Sequence, residues 1–218
     1  MPQVRRADDK RVMENPETNH RRYLERIDFY RGFGYDLEKE RDFILDSSMP
    51  VSGRILEIGT GKGHFALALA KRGFAFTSID ISEEEQKVAR LNIEYHGLER
   101  QVDFRIEDAQ SLSFPDRSFD AVFSINVFHH LEKPWAVLDE SVRVLRAGGK
   151  MILSDFTAKG FEVINACHEH EGRSHDRSRH DLDEAKGYFL KKGFSAAEAQ
   201  SEVQRVLIIK EKRSVTDT

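Results

Sequence analysis

The 218-residue sequence has a single cysteine, no long apolar run and no excess of basic residues. One cysteine excludes an internal disulfide and a zinc cluster built on thiolates, and it suits a reducing compartment. No stretch approaches the roughly 18 apolar residues that cross a bilayer. The first ten residues also have no apolar segment of the kind found in a secretory signal. We therefore expect a cytoplasmic protein without a membrane partner.

The charges are nearly balanced, with 34 Lys and Arg against 38 Asp and Glu and a net charge of -4. Proteins that bind duplex nucleic acid usually carry a basic excess, so we expect no nucleic-acid partner. Hydrophobic residues make up 39% of the chain, which is too high a share for a disordered protein. The length suits one domain with short additions. The sequence leaves the oligomeric state open, and a homodimer is compatible with it.

From residue 54 onwards, short apolar runs alternate with amphipathic segments. The predicted strands span 54–58, 74–79, 102–106, 119–125, 150–156 and 203–209, and the predicted helices span 65–72, 82–96, 134–146 and 182–192. This alternation predicts an α/β fold: a doubly wound, Rossmann-like and mostly parallel sheet with helices on both faces. In such sheets the ligand lies beyond the carboxyl ends of the strands, so the residues that follow each strand are the site candidates.

A glycine-rich turn follows the first predicted strand. Gly59, Gly61 and Gly63 occupy alternate positions there, which lets the backbone bend sharply and approach a ligand closely. The next helix directs its positive end at the same place. Asp80 ends the second predicted strand, where an acid can accept both hydroxyls of a ribose. Together these features predict a cofactor that contains adenosine.

The spacing and charge of the turn indicate which cofactor this is. The dinucleotide pattern is G-x-G-x-x-G, whereas this turn has His64 in place of the third glycine of that pattern. Glu57 precedes the glycines, and its negative charge would repel a pyrophosphate but not the sulfonium and ammonium groups of S-adenosylmethionine. We therefore predict S-adenosyl-L-methionine as the cofactor.

On these residues, and over about 52–210, the chain resembles the class I S-adenosylmethionine-dependent methyltransferases, especially small ones of quinone biosynthesis. The matching segments are Leu56-Glu57-Ile58-Gly59-Thr60-Gly61-Lys62-Gly63, Asp80, Glu107-Asp108-Ala109, Phe119 to Leu131, and Arg143-Val144-Leu145-Arg146-Ala147-Gly148-Gly149. The resemblance implies methyl transfer to an unidentified small-molecule acceptor. It also implies a seven-stranded sheet with an antiparallel last strand and a strand within 194–201, where the Ala- and Glu-rich composition does not predict one.

The resemblance also assigns roles to residues of the site. It implies that ten residues bind the cofactor: Glu57, Gly59, Thr60, Gly61 and Gly63 at the turn, Asp80 and Ile81 at the ribose and adenine, Asp108 and Ala109 at the adenine edge, and Asn126 at the amino-acid part. The backbones of the three glycines would hold the methionine part. His129 and His130 are candidate general bases, or they shape the start of the helix that follows. A hydroxyl acceptor needs such a base, whereas carbon and sulfur nucleophiles do not.

Two segments lie outside these motifs. Residues 1–50 are predicted to form an N-terminal helical extension whose Tyr23, Tyr30 and Phe33 serve as a lid or as core packing, and residues 51–218 form the cofactor-binding domain. At about 160–181 we predict a His-rich insertion that forms part of the acceptor pocket. It contains Cys167, His168, His170, His175 and His180. Their spacing is irregular for metal ligands, so we predict a solvated insertion and no metal site.

Two other functions fit parts of the sequence. A nicotinamide-dependent oxidoreductase is suggested by the Tyr-x-x-x-Lys spacing of Tyr188 with Lys192 and of Tyr35 with Lys39. The second pair precedes the first strand, and the dinucleotide turn is missing. The other candidate is a regulator or non-catalytic subunit that binds the cofactor without turnover, because a fold alone does not establish chemistry.

Overall fold

Helices and strands alternate along the chain in the computed structural model, which describes residues 15–172 and 180–211. The helices are α1 (Pro16–Gly32), α2 (Leu37–Ser48), α3 (His64–Lys71), α4 (Glu83–Tyr95), α5 (Pro134–Val144), α6 (Ala158–His170) and α7 (Leu182–Lys191). The strands are β1 (Ile55–Ile58), β2 (Phe76–Asp80), β3 (Val102–Ile106), β4 (Phe119–Ile125), β5 (Leu145–Phe156), β6 (Phe194–Gln200) and β7 (Gln204–Glu211). Within these two ranges, no helix is long and apolar enough to cross a membrane.

The seven strands form one sheet in the order β3-β2-β1-β4-β5-β7-β6. Strands β1 to β5 run parallel to one another, and β7 pairs antiparallel with both β5 and β6. The predicted α/β sheet, mostly parallel and with an antiparallel last strand, is therefore confirmed. Because parallel strands share a direction, the carboxyl ends of β1 to β5 meet at one edge of the sheet.

The sheet is covered on both faces, which explains why its strands are almost continuously apolar. In β5, Met151 and Leu153 join the apolar cluster formed with α5 and α7, whereas Ile152 joins the cluster formed with α2, α3 and α4. This alternation follows from the two-residue period of a strand. A third, smaller cluster packs α6 against Tyr35 and Val203 at the carboxyl edge of the sheet.

The structure differs from the sequence prediction at helix α5 and at strand β6. Helix α5 ends at Val144, two residues before the predicted end, because Leu145 already pairs with Phe119 of β4 ahead of a register shift in that ladder. Strand β6 forms at Phe194–Gln200 although only Phe194 is buried in it. Its backbone pairs along its full length with β7, so a tertiary partner determines an edge strand that composition does not predict.

The segment predicted as a solvated His-rich insertion is mostly helical. Helix α6 begins after Thr157, whose hydroxyl accepts a hydrogen bond from the Gly160 N–H, and it buries Cys167. His168 and His170 therefore lie on its last turn, while His175 lies outside the described residues. Among the residues that the structure describes, no three His, Cys, Asp or Glu side chains are grouped as metal ligands.

The N-terminal helices pack onto the sheet domain. Asn19 of α1 donates a hydrogen bond to the Asn92 side chain of α4 at 2.7 Å, and Asn92 donates to the Lys62 carbonyl of the glycine-rich turn at 2.8 Å. Tyr23 is buried and stacks on His64, with ring centroids 5.4 Å apart. Tyr23 is thus a packing residue, and α1 is joined to the turn through buried polar contacts.

A polar cluster is buried between β1 and β2. Glu57 accepts a hydrogen bond from the Ser78 hydroxyl at 2.5 Å, and Ser78 lies 2.6 Å from the Thr60 hydroxyl. Glu57 is 1% exposed, and burial raises the pKa of its carboxyl to about 8. The carboxyl is therefore mainly protonated at neutral pH, because an isolated charge in such a site would be strongly destabilised.

The raised pKa of Glu57 leads to a prediction about how the free energy of unfolding depends on pH. In the folded protein this carboxyl holds a proton that the unfolded chain releases at its ordinary pKa of about 4.5. Its contribution to stability is therefore full below that value and is lost as the pH rises towards about 8. Glu57→Gln keeps the shape without the ionisation. The unfolding free energy of the variant minus that of wild type should therefore be about 2–4 kcal/mol larger at about pH 8 than at about pH 5.

Urea unfolding at the two pH values measures this difference. Glu99→Gln, at an exposed carboxylate, is the matched control and should show no such gain. The assignment would be contradicted if the unfolding free energies of Glu57→Gln and wild type changed by the same amount between the two pH values.

Candidate functional site

A cavity of about 570 Å³ lies at the carboxyl ends of β1 to β4. Its wall contains the turn after β1, the end of β2, the residues after β3 and the residues after β4. Eight of the ten predicted cofactor residues line it: Gly59, Thr60, Gly61, Asp80, Ile81, Asp108, Ala109 and Asn126. This is the edge at which doubly wound sheets bind ligands.

The other two predicted residues, Glu57 and Gly63, do not line the cavity. Glu57 lies behind the turn with its carboxyl bonded to Ser78. The charge that the sequence interpretation assigned to it is absent at neutral pH, because burial raises its pKa to about 8. Gly63 instead faces α4, where an added Cβ would lie 2.8 Å from the Ala89 Cα. Its contribution is to let the turn and α4 approach closely.

Four N–H groups of the turn already have partners. Gly59 and Thr60 both donate to the Ile79 carbonyl, Gly61 donates to the Asp80 carboxylate, and Gly63 donates to the Thr60 carbonyl. These N–H groups are therefore used within the protein, and the expectation that the glycine backbones hold the methionine part stays a prediction. The glycines supply space instead. A Cβ at Gly59, whose φ is +85°, would lie 2.2 Å from Val127.

Asp80 is held in place by two backbone N–H groups. Its Oδ2 accepts from Gly61 at 2.7 Å and its Oδ1 accepts from Ser82 at 2.8 Å. The side chain thereby connects the turn after β1 to the start of α4, whose first residues follow Ser82. Each carboxylate oxygen has a further lone pair, so the group can still accept hydrogen bonds from two ligand hydroxyls. The geometry suits the predicted ribose contact.

A buried chain of polar side chains reaches the cavity from the opposite side. Arg41 donates to the Tyr35 hydroxyl at 3.0 Å, and Tyr35 donates to the Gln204 amide oxygen at 3.3 Å. The Gln204 amide nitrogen donates to the Asn126 side chain. Burial raises the pKa of Tyr35, which keeps its hydroxyl neutral as donor and acceptor. Asn126 has a φ of 57°, a left-handed conformation that Asn tolerates better than most residues.

Arg41 is a site residue that the sequence analysis missed. It lines the cavity from α2 and is 8% exposed. Its Nε has no hydrogen-bond partner within 15–172 and 180–211, and no carboxylate there lies within 4.0 Å of its guanidinium. A buried cation without a counterion favours an anionic ligand. No sequence signal distinguishes it, because it lies before β1 among many charged residues.

The remaining charges of the cavity wall are mostly acidic. Among the described residues, four carboxylates line it, at Asp80, Glu85, Glu107 and Asp108, against the cations of Arg41 and Lys62. His64 adds no charge, because burial lowers its pKa to about 3. This excess disfavours a diphosphate and favours a ligand with positive charge. The electrostatic argument for a sulfonium cofactor therefore rests on these acids and not on Glu57.

The two candidate bases face different cavities. His130 lines the cavity described above, whereas His129 lines a neighbouring one of about 510 Å³. Their ring centroids are 3.9 Å apart. His129 is 2% exposed, and its Nδ1 lies 2.6 Å from a carboxylate oxygen of Asp155.

The residues of the oxidoreductase alternative do not meet at either cavity. Tyr188 and Lys192 both bind Asp139 on the surface side of α7. Tyr35 is buried and contacts Arg41 and Gln204. Neither Tyr188 nor Tyr35 lines the 570 Å³ cavity.

Comparison with known proteins gives a consistent assignment. The family model described as "Methyltransferase domain" matches residues 56–153. The 27-O-demethylrifamycin SV methyltransferase of Amycolatopsis mediterranei is 36% identical over 104 residues, covering 47% of this chain and 38% of that protein. A ubiquinone biosynthesis O-methyltransferase of Xanthomonas oryzae is 38% identical over 104 residues, covering 46% of this chain and 42% of that protein.

The fold is also shared with solved structures of low sequence identity. A Methanococcus maripaludis structure, proposed to be an S-adenosyl-L-methionine-dependent methyltransferase, aligns with a TM-score of 0.68 at 17% identity, covering 96% of this chain and 99% of that one. The chain matches less than half the length of either curated relative. The match nevertheless covers β1 to β5 almost completely and includes every strand end that lines the cavity. Residues 56–153 of the chain therefore match a methyltransferase domain, on a fold shared with solved structures of similar architecture.

Proposed function

We propose that this protein transfers a methyl group from S-adenosyl-L-methionine to a small-molecule acceptor. The observation that carries the proposal is the Asp80 carboxylate, which two N–H groups hold at the wall of an acid-rich cavity at the carboxyl edge of the sheet. The names of the two curated relatives, a methyltransferase of 27-O-demethylrifamycin SV and an O-methyltransferase of ubiquinone biosynthesis, support a small-molecule acceptor. A cytoplasmic enzyme, as the composition predicts, is part of the proposal.

The cofactor supplies an activated methyl group, so the protein's task is to bind, orient and exclude water. Asp80 accepts the ribose hydroxyls, and Ile81, which is 71% exposed, packs on the adenine whose edge meets Asp108 and Ala109. Arg41 binds the carboxylate of the methionine part, which gives its buried charge a partner. Because Arg41 lies in α2, the N-terminal extension is then a component of the cofactor site.

Calorimetry with purified protein tests the cofactor. S-adenosylmethionine and S-adenosylhomocysteine should bind, and NAD and NADP should not. Transfer of a labelled methyl group to candidate small molecules then separates an enzyme from the alternative, a regulator that binds the cofactor without turnover. Binding of a dinucleotide in preference to S-adenosylhomocysteine would refute the proposal.

Asp80 provides the first test by mutation. Asp80→Asn removes the charge and half of the acceptor capacity, and we expect S-adenosylhomocysteine affinity to fall at least about tenfold, the effect of losing a charge-assisted hydrogen bond of about 1.5–3 kcal/mol. Asp103→Asn, at an exposed carboxylate of β3, is the matched control and should bind like wild type. Thermal unfolding of both variants separates loss of affinity from loss of structure. Wild-type affinity in a folded Asp80→Asn would refute the ribose contact.

Arg41 provides a second test that locates one part of the ligand. Arg41→Gln should weaken S-adenosylhomocysteine binding at least about tenfold, because a buried charge-assisted pair to the carboxylate is lost. It should leave the affinity for 5′-methylthioadenosine, which has no carboxylate, within about twofold. Asp80→Asn should weaken both ligands, since both contain the ribose. Equal losses for the two ligands in Arg41→Gln would contradict the carboxylate contact.

A further inference from the structure

A ring of three hydrogen bonds holds Asn126 at the wall of the cofactor cavity, the 570 Å³ cavity described above. The Tyr35 hydroxyl donates to the Gln204 amide oxygen at 3.3 Å, and the Gln204 amide nitrogen donates to the Asn126 oxygen. A hydrogen bond between Asn126 and the Tyr35 hydroxyl closes the ring. Because Tyr35 is 1% exposed and Gln204 is 0% exposed, solvent does not compete for these contacts.

Two contacts outside the ring decide which atom of Gln204 is the donor. The Arg41 guanidinium, which can only donate, lies 3.0 Å from the Tyr35 oxygen, so the hydroxyl hydrogen is left for the Gln204 oxygen. The Ser154 hydroxyl donates to a main-chain carbonyl of β7 at 2.7 Å and lies 2.7 Å from the Gln204 amide. Because the single hydrogen of Ser154 is already used, the nitrogen of Gln204 must face both Ser154 and Asn126.

The orientation of Gln204 determines which end of the Asn126 amide meets a ligand. The Asn126 oxygen is occupied by Gln204. Burial raises the pKa of Tyr35, and the Arg41 charge and the hydrogen bond from Asn126 oppose that rise. A contact that favours the ionised phenol comes from a donor, so an amide N–H of Asn126 faces the Tyr35 oxygen. The amide nitrogen has a second hydrogen, and Asn126 lines the cavity, so that hydrogen is available to a ligand.

The Arg41 guanidinium lies next to this amide. Both groups donate to the Tyr35 oxygen, so the two donor nitrogens are within roughly 6 Å of each other, since each is about 3 Å from that oxygen. Both residues line the cavity, and Arg41 is a buried cation whose Nε has no partner within 15–172 and 180–211. Two neighbouring donors, one of them charged, suit a carboxylate. They offer no acceptor to an ammonium group.

From this network, and resting on the proposed function, we propose that Gln204 is a positioning residue of the cofactor site. It orients the Asn126 amide so that this amide and Arg41 together bind the carboxylate of the methionine part. Gln204 is 0% exposed, so it touches no ligand and acts through Asn126. Strand β7, which lies outside the matched residues 56–153, thereby contributes to selection of the cofactor.

Three ligands that differ at the end of the chain on sulfur test this orientation. S-adenosylhomocysteine has a carboxylate and an ammonium group, its decarboxylated analogue has the ammonium group alone, and 5′-methylthioadenosine has neither. Calorimetry with the full chain measures the three affinities. Gln204→Met keeps about the same volume without a donor or acceptor. It should weaken S-adenosylhomocysteine about tenfold and change the other two by less than about twofold, because one hydrogen bond to a charged group is lost.

Asn126→Asp gives the sharpest contrast, because it replaces the donor nitrogen by a carboxylate oxygen of the same shape. S-adenosylhomocysteine should bind about 100-fold more weakly, since its carboxylate is now repelled, whereas the decarboxylated analogue should bind at least as tightly as it does to wild type. If the Asn126 oxygen contacted the ammonium group instead, the substitution would strengthen both ligands. Unchanged or increased affinity for S-adenosylhomocysteine would therefore overturn the proposal.

The positioning role has its own test in a double variant. In an Asn126→Ala background there is no amide to orient, so Gln204→Met should reduce S-adenosylhomocysteine affinity by less than about twofold further. Gln200→Met, at an exposed glutamine of the adjoining strand β6, is the matched control and should bind all three ligands like wild type. Equal losses for the three ligands in Gln204→Met, or a full tenfold further loss in the Asn126→Ala background, would reject the positioning role.

Thermal unfolding accompanies every measurement. If Gln204→Met does not fold, Tyr35→Phe tests the same ring, because it removes the hydrogen that orients Gln204. It should give the same selective loss for S-adenosylhomocysteine, and losses shared equally by 5′-methylthioadenosine would reject the proposal. If wild type binds none of the three ligands, the proposed function itself fails. Wild-type binding of S-adenosylhomocysteine with no selective loss in these variants rejects only the role of Gln204 and Asn126.

Discussion

The site depends on one electrostatic constraint, the Asp80 carboxylate between the N–H groups of Gly61 and Ser82. This contact fixes the turn after β1 relative to β2 and to the start of α4, so three elements share one charged acceptor. Because the N–H groups of Gly59, Thr60 and Gly63 are also bonded within the protein, the shape of the turn is determined before a ligand arrives. Preorganisation of this kind reduces the entropy lost on binding.

The second organising feature is a division between two cavities at the same edge of the sheet. The strands β1 to β4 supply the cofactor side, and β5 with α6 and α7 supplies the other. The short turn after β4 lies between them and presents one histidine to each. A parallel sheet makes this arrangement simple, because successive strand ends are neighbours along a single edge.

The predictability of the fold and of the site differed for physical reasons. The alternation of strands and helices, the turn and Asp80 could be identified because each has a local signature in spacing or composition. Strand β6 could not, since its pairing with β7 outweighs a poor composition. Arg41 and Asp155 could not either, since their importance comes from burial and from partners distant in sequence. The charge state of Glu57 could not be predicted either, because sequence does not reveal the desolvation that raises its pKa.

The hydrogen bonds from Asn19 through Asn92 to the Lys62 carbonyl have a consequence for the role of helix α1. Asn19 and Asn92 are each 2% exposed, so removing α1 would strip a buried amide of its partner and uncover the flank of α4. Helix α1 is therefore part of the structure that supports the glycine-rich turn. Truncation of the chain to its sheet domain would therefore disturb the glycine-rich turn that lines the cofactor cavity.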